Sequence, residues 1–187
     1  SLQQQRILLY MSRLFIGCSI DNDSSELIAH ALSPWQLHEQ QLQWLRRKNW
    51  HVTLAFIGEV DDSLERELAM NMANHLSDQQ CLSASLLHLS AFPDANSAIL
   101  VAQVMATPAL ETLHHICTNL CAELSLPQHS GEYRPHITLA RNARSLMPRL
   151  LPLKLSGHLN IRQVALYRSE VIENKRNYRI IHQCSLR

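Results

Sequence analysis

The stretch His51-Val52-Thr53-Leu54-Ala55 returns, with one conservative change, as His136-Ile137-Thr138-Leu139-Ala140. Polar and apolar residues alternate in both copies, and a β-strand sends residues i, i+2 and i+4 to one face. The pattern predicts two half-buried strands, each showing an imidazole and a hydroxyl about 6 to 7 Å apart along the backbone. Ala55 and Ala140 are expected on that same face. Val52, Leu54 and Phe56 in one copy, and Ile137 and Leu139 in the other, form the opposite, core-facing side. Arg141 breaks the scheme: five residues beyond His136, strict alternation turns it away from the His-Thr face, so the strand must end, twist or bulge there. Phe56 holds the equivalent place after His51 and is expected to pack in the core.

Working outward, Leu14 to Ile20 reads as a first strand, and Asp21-Asn22-Asp23-Ser24 opens a helix from about Ser25 to Gln41 that Pro34 breaks or restarts. Gln43 to Leu45 and Trp50 to Ile57 read as strands, the second ended by Gly58. Asp61-Asp62-Ser63 opens a helix with Leu64, Leu68, Met72 and Leu76 on one stripe. Leu82 to Leu89 and Ala98 to Met105 are strands joined through Phe92-Pro93-Asp94-Ala95-Asn96. Pro108 suits the first turn of a helix reaching about Leu124, and Pro127 to Glu132 is a loop. After the second motif come an irregular stretch, 142–152, and strands near Ile161 to Val171 and Tyr178 to Ser185, turned by Glu173-Asn174-Lys175-Arg176-Asn177. The order predicts an α+β chain whose middle portions echo one another around the repeated strands.

With 187 residues and 46% hydrophobic content, the chain suffices for one domain or two closely joined lobes, and no linker divides it. We expect one unit over residues 12–187, with residues 1–11 read as a leader, an appended remnant or the region before an alternative start. The apolar runs are too short to span a bilayer. Cys18, Cys81, Cys117, Cys121 and Cys184 are odd in number and scattered, which fits reduced thiols and a cytoplasmic location. A net charge of +1 announces no broad nucleic-acid footprint. Local charge does more: Arg46, Arg47 and Lys48 precede the first motif, and Arg134, Arg141, Arg144 and Arg149 surround the second. The grouping favours a small phosphate-bearing ligand.

Two imidazoles facing one cleft can divide acid and base work, because each titrates near pH 6.5, roughly, and modest shifts keep one neutral and one protonated. The neutral ring deprotonates water as it attacks phosphorus, and the charged ring protonates the departing alkoxide. Thr53 and Thr138 can donate hydrogen bonds to non-bridging phosphate oxygens, with Arg141 as a charge-assisted donor. This chemistry requires no metal and no cofactor.

Several further words carry a resemblance: Arg13-Leu14-Phe15-Ile16-Gly17, Trp50 to Val60 around the first motif, Ala91-Phe92-Pro93, Tyr133-Arg134-Pro135 before His136, and Leu166-Tyr167-Arg168-Ser169. With Gly58, Pro135 and Arg141 in place, the chain from about Arg13 to Leu186 resembles the 2H phosphoesterase superfamily, and within it the bacterial RNA 2′,3′-cyclic phosphodiesterases formerly called 2′-5′ RNA ligases. The resemblance implies two pseudo-symmetric lobes of antiparallel sheet and helix around a central cleft. It implies hydrolysis of RNA 2′,3′-cyclic phosphate ends to 2′-phosphates, and reversible 2′-5′ joining in some members. By position, His51 would be the acid toward the 3′ oxygen and His136 the base, with Thr53, Thr138 and Arg141 on the phosphate. Near-symmetry allows acid and base to exchange. The expected partners are RNA 3′ ends or nucleotides bearing a 2′,3′-cyclic phosphate, and a monomer is expected.

Three other readings stand beside this one. His114, Cys117 and Cys121 have helical spacing that invites a metal, yet they lack a fourth ligand, and Leu110, Leu113, Leu120 and Leu124 share the cysteine face, so packing explains them better. A non-catalytic module of the same fold would hold a nucleotide or RNA end, though binding alone would not demand two titratable groups. The enzyme could instead act on small cyclic nucleotides or 2′-5′-linked oligonucleotides. Trp35, Trp50 and Tyr133 are candidate stacking residues with equally plausible packing roles.

Overall fold

A computed structural model describes residues 12–38, 42–129, 131–143 and 153–187. The region 1–11, the predicted end of the first helix at Gln41, and Arg144 and Arg149 lie outside the described residues. Ten strands and three helices follow one another as β1 (Ser12–Ser19), α1 (Asn22–His38), β2 (Gln43–Trp44), β3 (His51–Val60), α2 (Asp62–Leu76), β4 (Leu82–Phe92), β5 (Ile99–Val104), α3 (Pro108–Glu123), β6 (His136–Arg141), β7 (Leu153–Lys154), β8 (His158–Ile161), β9 (Gln163–Ile172) and β10 (Lys175–Ser185). The α+β reading holds.

Every strand pairing is antiparallel, in the order β10-β9-β1-β3-β6-β5-β4-β7, with β2 also on β6 and β8 also on β4. The sheet has two halves. One is β10-β9-β1-β3, built from both ends of the described chain, and the other is β6-β5-β4 with its short edge strands. They meet where the motif strands touch, at the single pair Val52↔Ile137. α3 packs on β3 and β4, α2 on α3 and β10, and α1 beside β8. Leu68, Met72 and Leu76 of α2 are buried, as are Leu110, Leu113, Cys117, Leu120 and Cys121 of α3, so both predicted stripes face the core.

α2 and α3 start where the sequence places them, and Thr107 adds a cap that the sequence reading does not name. Asp61 accepts from the Leu64 N–H and Thr107 from the Leu110 N–H, while Pro108 occupies the first turn of α3. Two expectations need correction. Pro34 does not interrupt α1: a proline cannot donate to the carbonyl four residues back, but the Ser33 hydroxyl donates to that carbonyl, His30 O, at 2.9 Å. Gly58 does not end β3, which runs on to Val60; it sits at φ +87° where the β1 register slips, in the left-handed region that glycine adopts without strain. Among the described residues five strands follow α3 rather than three, because residues 153–160, between the predicted irregular stretch and the strand expected near Ile161, contribute β7 and most of β8 at the edge of β4.

Candidate active site

The pair Val52↔Ile137 sets the register of the two motifs. Extended by one residue either way, an antiparallel register puts His51 across from Thr138 and Thr53 across from His136, on the face away from the buried Val52 and Ile137. No further rung joins the strands, and the space between them opens into a cleft of about 1160 Å³ lined by His51, Thr53, His136, Thr138 and Arg141. The five predicted site residues are therefore brought together.

Arg141 reaches the cleft through a bulge. Against β5, Ala140 pairs with Leu100 and Thr138 with Val101, which leaves Leu139 as an extra residue. β3 does the same against β1: Ala55 pairs with Ile16 and Thr53 with Gly17, leaving Leu54 over. An extra residue shifts the alternation by one, so the position five beyond each histidine returns to the His-Thr face. This overturns two expectations together. Ala55 and Ala140 are buried instead of facing the cleft, and Phe56, expected in the core, is 57% exposed and lines the cleft as Arg141 does.

Bulges free backbone carbonyls, and each is braced by the segment that leads to the other motif. The Leu45 N–H donates to Leu139 O at 2.9 Å. The Tyr133 hydroxyl donates to Thr53 O at 2.8 Å, and His114 Nδ1–H to Leu54 O at 2.7 Å, with the His114 and Tyr133 rings stacked 3.8 Å apart and parallel to within 1°. His114 is thus a brace, and Cys117 and Cys121 are buried core residues. Among the described residues no group of three His, Cys, Asp or Glu side chains is placed to hold a metal ion.

The two imidazoles are held alike. His51 Nδ1 lies 2.7 Å from Asn49 O and His136 Nδ1 lies 2.8 Å from Arg134 O, in both cases the carbonyl two residues back. A carbonyl only accepts, so Nδ1 carries the proton and Nε2 is the nitrogen left for chemistry. His51 Nε2 lies 3.1 Å from Thr53 Oγ1. Aromatic rings enclose His51, with Phe15 at 4.6 Å, Tyr178 edge-on at 5.1 Å and Tyr167 at 5.5 Å. His136 stacks on Phe92 at 3.9 Å, and the Arg134 guanidinium also lies over that ring, 4.7 Å from its centre. Burial is the main reason both rings resist protonation. It pushes His51 down to about 4, partly opposed by the Asn49 carbonyl and reinforced by His136 and Arg141. His136 is also lowered by burial, against the Arg134 carbonyl and with the Arg134 charge. The electrostatic influence of His136 on His51 reflects their shared space.

Arg13, Arg46, Arg141, Lys175 and Arg176 line the cleft, and no Asp or Glu does among the described residues. Such a surface favours an anion. Of the predicted arginine grouping, Arg46 and Arg141 reach it, whereas Arg47 turns to Glu26 at 2.8 Å and Arg134 to Phe92 and Pro93 O.

The residues from 24 to 171 match the model of the 2′-5′ RNA ligase superfamily, most of the described fold and both motifs. The chain belongs to that superfamily. A relative from Geobacillus stearothermophilus named RNA 2′,3′-cyclic phosphodiesterase is 24% identical over 167 residues, 86% of this chain and 53% of its own length. The chain therefore spans about half of that protein. A relative of the same name from Methanocaldococcus jannaschii is 23% identical over 178 residues, 91% of this chain and 99% of its own length. The crystal structure of TT0787 of Thermus thermophilus superposes with a TM-score of 0.82 at 20% identity, covering 93% of this chain and 97% of that one. The two proteins thus share a fold.

Three findings lay beyond the sequence reading. Trp35, Trp50 and Tyr133, considered for stacking, do not line the cleft: Trp50 is buried, Trp35 packs on the core and Tyr133 braces β3. Strict alternation places Phe56 on the core face, and the bulge at Leu54 brings it to the cleft. Arg13, Lys175 and Arg176 carry no local signal, since only the pairing of β9 with both β1 and β10 gathers them.

Proposed function

We propose that this superfamily member hydrolyses RNA 2′,3′-cyclic phosphate ends to 2′-phosphates by metal-independent, two-histidine acid-base catalysis. The observation that carries the reading is the pair of Nδ1-anchored imidazoles in one cleft with two threonines and Arg141, without a carboxylate among the described lining residues. Water attacks phosphorus and gives its proton to a neutral Nε2. The P–O3′ bond breaks, and the other imidazole supplies the proton that makes the 3′ hydroxyl. Thr53, Thr138 and Arg141 hold the non-bridging oxygens and offset their charge. The names of both relatives support this substrate. With the 5′ hydroxyl of a second RNA end in the place of water, the same steps would form a P–O5′ bond while the P–O3′ bond breaks and O3′ takes the proton, which gives the 2′-5′ ligation in the superfamily's name.

The deeper burial of His51 favours a second assignment of roles, with His51 as base and His136 as the more readily protonated acid. A substrate with sulfur at the bridging 3′ position decides it, since a thiolate leaves without a proton: rescue of the His136→Ala variant supports this order, and rescue of His51→Ala supports the reverse. Phe56, exposed beside the phosphate site, offers a face for the terminal base. We further read residues 12–187 as one monomeric unit in the cytoplasm, consistent with five free thiols and with no described helix long and apolar enough to cross a membrane.

The test is incubation with RNA carrying a 2′,3′-cyclic phosphate, with chelator, and identification of the product. A 2′-phosphate is expected, with turnover falling about 100- to 10,000-fold in His51→Ala and in His136→Ala. Full activity in both variants refutes the mechanism, and loss of activity with chelator points to a metal enzyme.

A further inference from the structure

The cleft extends beyond the histidines along the half of the sheet that holds His51. Arg13, Lys175 and Arg176 line this extension with Ser169 and Asn174. Ser169 pairs with Arg13 of β1 on one side and Tyr178 of β10 on the other, and its hydroxyl lies 3.1 Å from Arg176 Nη1. The residues Glu173 and Asn174, with φ of +50° and +62°, make the tight turn that presents Lys175 and Arg176. Among the described residues none of these three cations is in an ion pair. The arginines that do hold carboxylates, Arg47, Arg168, Arg179 and Arg187, lie outside the cleft lining. Cations gathered without counter-charge repel one another, and an anion relieves the repulsion.

The extension is also tied mechanically to the chemistry. Asn49, only 4% exposed, donates from Nδ2 to Arg176 O at 3.1 Å and accepts from the Tyr178 N–H at 3.3 Å, while its own carbonyl anchors His51 Nδ1. One buried side chain thus fixes the cationic hairpin relative to His51. The cleft's 1160 Å³ is larger than the roughly 300 to 1,000 Å³ of pockets that hold one small molecule.

Resting on the proposed reaction at the histidines, we infer that Arg13, Lys175 and Arg176 form a second phosphate subsite for the RNA backbone. A cyclic phosphate closes the 3′ terminus, so every other phosphate of the strand lies on its 5′ side. The subsite takes one of these, and an oligonucleotide end is preferred to a cyclic mononucleotide.

The test compares adenosine 2′,3′-cyclic phosphate with a short oligoadenylate ending in the same group, in the parent protein and in the Arg13→Gln/Lys175→Gln/Arg176→Gln variant, with circular dichroism to establish folding. The parent should prefer the oligonucleotide in kcat/KM, and the variant should lose about tenfold or more of that preference through KM, with the salt slope reduced by roughly 0.7 for each phosphate no longer neutralised. Equal use of both substrates by the parent, or a preference that survives the substitutions, overturns the subsite. If the parent cleaves neither substrate, the reaction at the histidines fails instead, and fluorescence anisotropy with a labelled oligoadenylate decides the subsite: salt-sensitive binding that disappears in the variant supports it, and equal binding by both proteins refutes it.

Discussion

Acidification should destabilise the fold through His51. An unfolded imidazole titrates near 6.5, and the folded one is held down to about 4 by burial among Phe15, Tyr167 and Tyr178. Because the folded value is the lower, the stabilisation is complete above 6.5 and is lost as pH falls from there through about 4. At about pH 4.5 the loss integrates to roughly 2 to 3 kcal/mol, since each pKa unit is worth a little over 1 kcal/mol, roughly, over most of the interval. For a chain of this size that is about 5 to 10 °C in melting temperature. The assay is thermal unfolding at about pH 7.5 and 4.5 for the parent and for His51→Gln, which has no imidazole to protonate; the variant should lose about 5 to 10 °C less on acidification. NMR titration of the His51 ring should give its midpoint near 4. Equal acid losses in both proteins, or a midpoint at an ordinary histidine value, would falsify the account of the aromatic cage.

The remaining expectations concern rate and bracing. Since both imidazoles are lowered, the free enzyme holds one neutral and one charged ring only on the acid side, so kcat/KM should peak below about pH 6.5 and fall on alkalinisation; a plateau extending to alkaline pH contradicts this. Tyr133→Phe removes the donor to Thr53 O and should cost about 1 to 2 kcal/mol in urea unfolding, with kcat reduced more than KM is raised. An unchanged midpoint and kcat would show that the bulge stands without it. Gly17→Ala would put a methyl 2.7 Å from Val52 O and 3.5 Å from the His51 ring. Relief of that clash should lower stability by about 1 to 3 kcal/mol and shift the His51 titration; an unaffected melt and titration argue against the close approach.

The motif strands were legible because alternation is a local property, and so were α2 and α3, whose apolar stripes and N-terminal signals lie in consecutive residues. The bulges were not legible. Nothing in Leu54 or Leu139 marks an unpaired residue, because a bulge belongs to the partner strand's register as much as to its own. Arg141 betrayed its presence only as an anomaly, and Phe56, equally displaced, was misplaced because an apolar side chain raises no objection to the core. The packing role of Cys117 and Cys121 was legible from the leucines on their face, whereas the partner of His114, a carbonyl 60 residues away, was not. The cationic extension needed three strands in register before its members became neighbours.

Twin kinks in twin strands make a socket with two-fold symmetry, into which a guest could settle either way round. One break in that symmetry stands at the two exits: a flat ring at Phe56 and a guanidinium at Arg141. Such a socket is keyed, and those two side chains help to set the polarity of whatever lies in it. Trading the pair should invert the guest before it abolishes the chemistry.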